Sequence, residues 1–168
     1  TVLSHSVTRT DFKDWGNNVL MPELVKTAKN NGTLENRLEY LDYDDVGNVL
    51  EVKQTNGTHV SYIWGYNKTF PVAKVENATR ARIAALSQFS QNFHTGAGGL
   101  SATQETQRRV LSNALVTTYT YEPMIGVTSI TDPRGNTMEY LYDDSNRLRQ
   151  VRDYQGHPVE EYIYSYKN

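Results

Sequence analysis

The chain has 168 residues, a formal net charge of −2, no cysteine, and 38% hydrophobic residues, among which Tyr (12) far outnumbers Phe (4). A chain of this length buries roughly 70% of its unfolded surface on folding and has no need of disulfide staples. The charge balance leaves no basic footprint for nucleic acid and no cationic face for an anionic membrane, and no apolar run approaches the ~20 residues of a membrane span. Aromatic and β-branched residues together with many turn formers favour strands joined by tight turns. The chain opens on Thr1 without an initiator Met or a signal peptide, and so reads as an excised stretch of a larger protein.

In chain order, residues 1–33 are expected to supply two strands, Val7–Phe12 and Val19–Ala28, split by Trp15-Gly16-Asn17-Asn18. Pro22 marks an edge or a bulge, because proline cannot donate to a sheet ladder. Asn30-Asn31-Gly32 turns the chain into Leu34–Tyr43. Residues 34–76 and 117–168 then carry a repeat. Leu41-Asp42-Tyr43 recurs as Tyr62-Ile63-Trp64 21 positions on, and Tyr119-Thr120-Tyr121 recurs as Tyr140-Leu141-Tyr142 and Tyr162-Ile163-Tyr164. Turn signals lie between the copies: Gly47-Asn48, Asn56-Gly57, Gly135-Asn136, Ser145-Asn146 and Gln155-Gly156. Residues 77–116 interrupt the pattern. Ile83, Leu86, Phe89 and Phe93 fall at helical spacing, Gly96-Ala97-Gly98-Gly99 stops the run, and Ser101-Ala102-Thr103-Gln104 has capping-box form ahead of Val110, Leu111, Ala114 and Leu115. The expectation is an α-helical hairpin inserted between two blocks of β-hairpins, all within one structural domain.

The physics of the repeat follows from strand geometry. Tyr-x-Tyr places two aromatics on one face, since side chains alternate along a strand. The Asp-Asp-x-Gly-Asn or Asp-Asp-Ser-Asn segment then reverses the chain, and an aliphatic strand follows (Leu50 and Val52; Leu148 and Val151). One hairpin is marginal alone, so neighbours must stack. The fold class expected is mainly β: consecutive antiparallel hairpins with a period of about 21 residues in a twisted sheet, with one Tyr-lined face.

These residues carry a resemblance. Tyr142-Asp143-Asp144-Ser145-Asn146-Arg147-Leu148 resembles the Tyr-Asp-x-x-Gly-Arg-Leu signature of YD repeats, the unit of the Rhs family, and Tyr43-Asp44-Asp45-Val46-Gly47-Asn48-Val49-Leu50 matches it again. Tyr62–Asn67 and Ile125–Pro133 resemble blocks in large YD-repeat proteins of Bacteroidetes-type bacteria, so that the resemblance covers roughly residues 34–75 and 117–166. It implies a strip of antiparallel sheet that in Rhs, insecticidal-toxin and teneurin relatives spirals into a hollow shell. In toxin systems that shell encloses a C-terminal passenger. The partners implied are therefore the rest of the parent chain and such a passenger, and the implied location is secreted or on the bacterial surface. The Asp-Pro-x-x-Gly-Arg-Phe core linked to self-cleavage in relatives is missing. Asp132-Pro133-Arg134-Gly135-Asn136 is a superficial echo that reads as a turn, and no protease role carries over.

Candidate chemistry is sparse. Asp42, Asp44 and Asp45 fail the EF-hand pattern, because Val46 and Lys53 fall where oxygen ligands are required; turn chemistry explains them better. His5, His59, His94 and His157 show no metal-ligand spacing, Gly96–Gly99 lacks the Lys and Ser/Thr of a P-loop, and there is no nucleophile elbow. The sequence thus implies no cofactor, no metal and no catalytic activity. Asn31, Asn56, Asn67 and Asn77 begin Asn-x-Thr, read here as turn and strand residues. The one candidate ligand site is aromatic: Tyr62, Trp64 and Tyr66, and Tyr162, Tyr164 and Tyr166, each line one strand face. Buried, these rows are core. Exposed, they would stack on a glycan or dock a host protein, and Trp64 is the outlier among the tyrosines.

Overall fold

The computed structural model of the protein describes residues 4–16, 20–86 and 94–165. Among the described residues, eleven antiparallel strands form one open sheet: β1 (Ser6–Asp14), β2 (Leu20–Lys29), β3 (Glu35–Tyr43), β4 (Val49–Gln54), β5 (His59–Gly65), β6 (Phe70–Glu76), β7 (Leu115–Glu122), β8 (Gly126–Thr131), β9 (Thr137–Tyr142), β10 (Leu148–Arg152) and β11 (Pro158–Glu161). Their order across the sheet is their order in the chain. Every strand therefore pairs with its chain neighbours. The two expected N-terminal strands are present, and the proline acts as anticipated: the register slips from Asp11 opposite Leu24 to Phe12 opposite Pro22, a bulge. Asn17, Asn18, Phe89 and Phe93 lie outside the described residues.

Among the described residues between β6 and β7 stand two short helices, α1 (Arg80–Ala84) and α2 (Ala102–Arg109). Both are shorter than the apolar spacing suggested. Ile83 is fully buried in α1, but the helix is capped at Ala85 and leaves Leu86 outside it. The capping box at α2 forms in both directions, with the Gln104 amide donating to Ser101 Oγ (3.3 Å) and the Ser101 amide to Gln104 Oε1 (3.0 Å). Asn113 in left-handed backbone (φ 61°) follows α2, so Leu115 begins β7 instead of ending the helix, and Val110 is exposed. Of that expected apolar edge Leu111 is buried.

The chain divides into two compact units, residues 1–62 with 75–93 and residues 63–74 with 94–168, the divisions falling inside β5 and β6. In the first, the buried apolar residues are Ala28, Tyr43, Leu50, Val52, Val60, Val75, Ala78 and Ile83. In the second they are Ile63, Val72, Ala73, Leu111, Val116 and Val151. The core is thus aliphatic, with Tyr43 the one tyrosine in it among the described residues. A phenol carries an O–H that must find a partner, which holds most of the tyrosines at half-buried positions.

Candidate functional site

Two devices recur along the sheet, together at Tyr43-Asp44 and Tyr142-Asp143 and singly elsewhere. The first is an aspartate turn. Asp44 Oδ1 accepts the amides of Val46 (3.0 Å) and Asn48 (2.8 Å), while Asp44 Oδ2 accepts the Asn48 side-chain amide (3.0 Å). Asp132 does the same with the amides of Arg134 (2.8 Å) and Asn136 (2.9 Å), Asp143 with those of Ser145 (2.9 Å) and Arg147 (3.0 Å), and Asp153 with those of Gln155 and His157 (both 2.9 Å). The fourth residue of each turn, Gly47, Gly135, Asn146 or Gly156, has positive φ and donates its amide back to the aspartate carbonyl. This conformation suits Gly and Asn because neither pays the full Cβ penalty of left-handed backbone. The charge is stabilised accordingly. Hydrogen bonds from the Asn136, Arg134 and Gly135 amides hold Asp132 below the usual carboxylate range, the Arg147 guanidinium and amide do so for Asp143, and the His157 and Gln155 amides for Asp153.

A tyrosine clamp is the second device. Tyr43 Oη donates to the carbonyl of Pro22 (3.0 Å), Tyr121 Oη to Pro71 (3.0 Å), Tyr142 Oη to Val127 (2.9 Å) and Tyr164 Oη to Leu148 (2.9 Å). For Tyr43, Tyr121 and Tyr142 the acceptor lies on the strand before the tyrosine's own; Tyr164 follows β11 and its acceptor lies on β10. Burial pushes the Tyr43 and Tyr121 phenols up to about 12 and raises that of Tyr142. The rings pack as well: Tyr43 stacks on Tyr40 with centroids 5.6 Å apart, and the Arg147 guanidinium lies 4.4 Å from the Tyr164 ring. Asp42 forms an ion pair with Arg80, and Asp44 accepts three bonds within its turn. Among the described residues no group of three or more His, Cys, Asp or Glu is placed to hold a metal ion. No helix of the described residues is long and apolar enough to cross a membrane.

The candidate aromatic rows come out unevenly. Tyr62 and Trp64 are half-buried on one face of β5, while Ser61 and Ile63 on the opposite face are fully buried. Tyr66 does not continue that row. The backbone of Tyr66, Asn67 and Lys68 is left-handed (φ 50°, 55° and 65°), which ends the strand and turns the ring onto Phe70 and Tyr121. There Tyr66 Oη accepts the Tyr121 amide (3.0 Å), and Phe70 stacks on Tyr121 with centroids 4.7 Å apart. Tyr162 and Tyr164, past the end of β11, are 40% and 45% exposed, and Tyr162 Oη donates to Glu160. Tyr166 lies outside the described residues.

The fold has likenesses among solved structures. It is similar to the crystal structure of TcdB2-TccC3-TEV (10% identity, TM-score 0.51) and to that of TcdB2-TccC3-Cdc42 (10% identity, TM-score 0.50), in each case over 93% of this chain and 8% of the other. It is likewise similar to TcdB2-TccC3 without its hypervariable C-terminal region (9% identity, TM-score 0.50, the same coverage). The chain thus spans a small part, 8%, of the length of the solved chains it matches. No family model matches the sequence, and no curated protein matches it.

Proposed function

We propose that this chain is a structural repeat segment of a large secreted or surface YD-repeat protein, contributing strands to a β shell around a C-terminal passenger, and that it catalyses no reaction. The observation that carries the reading is the recurrence of one turn, at Asp44, Asp132, Asp143 and Asp153, and of one clamp, at Tyr43, Tyr121, Tyr142 and Tyr164. A scaffold needs the same residue at every unit, whereas a site needs it once. The fold likeness to the TcdB2-TccC3 structures supports a place in a much longer chain, and the resemblance of Tyr142–Leu148 and Tyr43–Leu50 to YD repeats supports the same assignment. The partners are then the rest of the parent chain and the passenger.

The test is limited proteolysis of the full-length protein, with the fragments followed by mass spectrometry. A C-terminal region protected in the native state and cleaved only after unfolding is the expected result. Immediate cleavage of that region while residues 34–165 persist would refute an enclosing shell. The exposure of Tyr162 and Tyr164 favours a second reading, in which aromatic side chains recognise a glycan or a host protein. That reading requires saturable glycan binding lost in Trp64→Ala or Tyr164→Ala.

A further inference from the structure

The pairing of β8 with β9 stops short of the Tyr142 clamp. It runs from Ser129 opposite Glu139 to Thr131 opposite Thr137, and leaves Gly126, Val127 and Thr128 without partners on β9. Thr128 is the extra residue of a bulge, because Thr120 faces Ser129 while the next residue, Tyr121, faces Val127. Tyr142 crosses the opening: its Oη donates to the Val127 carbonyl (2.9 Å), and a Cβ added at Gly126 would stand 2.6 Å from that oxygen. Beside this bridge lies an open slot of about 550 Å³, within the size range of small-molecule sites. At Tyr43 and Tyr121 an aromatic ring packs on the clamp, Trp15 at 5.1 Å and Phe70 at 4.7 Å between centroids. The slot beside Tyr142 is instead lined largely by polar groups, so it is not a part that the scaffold repeats.

Three hydroxyls line one side of it. Thr120 Oγ1 lies 2.8 Å from Thr128 Oγ1 and 2.6 Å from Ser129 Oγ. Three hydroxyls carry three protons and the two bonds use two, so one O–H and several lone pairs stay open to a ligand. Glu122 and Glu139 also line the slot, both exposed, and neither side chain makes a hydrogen bond or ion pair among the described residues. Asp143 reaches the rim, but its oxygens are taken by the Ser145 and Arg147 amides and the Arg147 guanidinium. Asn146 adds an amide, and Ile125, Leu141 and the half-buried Tyr140 supply apolar surface. No Lys, Arg or His is part of the lining.

We propose that this slot binds a neutral saccharide, whose hydroxyls donate to Glu122 and Glu139 and exchange bonds with the Thr120, Thr128 and Ser129 hydroxyls, and whose C–H face lies against Tyr140 and Leu141. A sugar presents many O–H donors with acceptors beside them and carries no charge that needs a counter-ion. Hydrogen bonds to ionised carboxylates are the stronger kind, which gives the two acids the larger share of the affinity. An anion would meet two like charges, and a small cation would leave the hydroxyls and the apolar wall unused. The site is separate from the exposed Tyr162 and Tyr164 and does not depend on the scaffold reading.

The experiment is an NMR titration of the protein with four disaccharides (maltose, cellobiose, lactose and N,N′-diacetylchitobiose) and, separately, with the diamine putrescine. At least one sugar is expected to give saturable shifts at the Thr128, Ser129, Leu141 and Asn146 amides, with a Kd of about 1 mM that weakens about tenfold in Glu139→Gln and in Glu122→Gln. Both carboxylates are exposed, so neither exchange threatens the fold. Thr120→Val, which removes the middle hydroxyl, should weaken the same sugar. Shifts that stay linear with all four sugars would overturn the proposal. Saturation by putrescine alone would do so too, by assigning the acids to a cation. Sugar binding lost in Tyr164→Ala but kept in Glu139→Gln would move the sugar to the aromatic row and overturn the slot.

Discussion

Replacing Tyr43 by Phe removes one oxygen and leaves the ring. The stack on Tyr40 and the tilted contact with Trp15, centroids 5.1 Å apart, survive, so the change isolates the bond from Tyr43 Oη to the Pro22 carbonyl. That oxygen belongs to a side chain only 8% exposed, and water cannot readily replace it. The expected loss is about 1 kcal/mol, the net worth of a neutral hydrogen bond in such a place. For a chain of this size this is a fall in Tm of about 2–4 °C. Tyr164→Phe breaks the equivalent bond to Leu148 at a side chain 45% exposed, where water substitutes for the phenol. Its cost should lie within about 0.5 kcal/mol of zero. Urea unfolding followed by tryptophan and tyrosine fluorescence measures both on one scale. A Tyr164→Phe loss equal to that of Tyr43→Phe, or no loss in either, would refute the clamp as a burial-dependent bond.

Gly65→Ala should destabilise by about 1–3 kcal/mol through overpacking, because an added Cβ would sit 2.5 Å from Val72 Cγ1, 2.6 Å from Thr95 Oγ1 and 2.7 Å from the Gly98 carbonyl. Thermal melts check the magnitude, and faster hydrogen exchange at Tyr66 and Asn67, whose amides donate to Gly98 and Gly96, checks the place. The turns are sensitive to acid. Asp132, Asp143 and Asp153 have depressed folded pKa values, so their contribution is present above the unfolded value near 3.8 and is lost as pH falls through the folded ones. Amide exchange at Asn136, Arg147 and His157 should accelerate below about pH 4, and Asp143→Asn should abolish the response at Arg147 alone. At the alkaline limit the sign reverses: Tyr43 and Tyr121 ionise later folded (about 12) than unfolded (10.0), so stability is lost between those values. An alkaline melt monitored by tyrosinate absorbance should show it.

What could be read in the sequence was whatever depends on neighbours in the chain. The aspartate turns were legible because donor and acceptor lie within four residues, and the residue at positive φ must be Gly or Asn. The N-terminal strands and the Pro22 bulge were legible for the same reason. The clamps were not. Tyr43 to Pro22 and Tyr121 to Pro71 depend on register across strands, and bulges at Asp42 and between Thr120 and Tyr121 shift that register. The row does not extend to Tyr66 because the backbone turns at Tyr66-Asn67-Lys68, and Asn67 is the turn signal there. Glu122 and Glu139 were passed over because nothing in the sequence pairs them, whereas a bulge at Thr128 opens the slot that both line. α1 and α2 are shorter than expected because the apolar periodicity persists beyond Ala85 and Arg109, where the backbone leaves the helix.

The strand order has a consequence for how the protein is made. Because β1 to β11 are laid down in the order in which they are translated, each new strand leaving the ribosome meets the free edge of the one just finished. Only β6 waits for a distant partner, β7, across residues 77–114; at the other joins the long loop closures that slow most all-β folding are avoided. The same arrangement makes length negotiable. A gene that gains or loses one hairpin adds or removes a rung without rewiring any pairing except at the join.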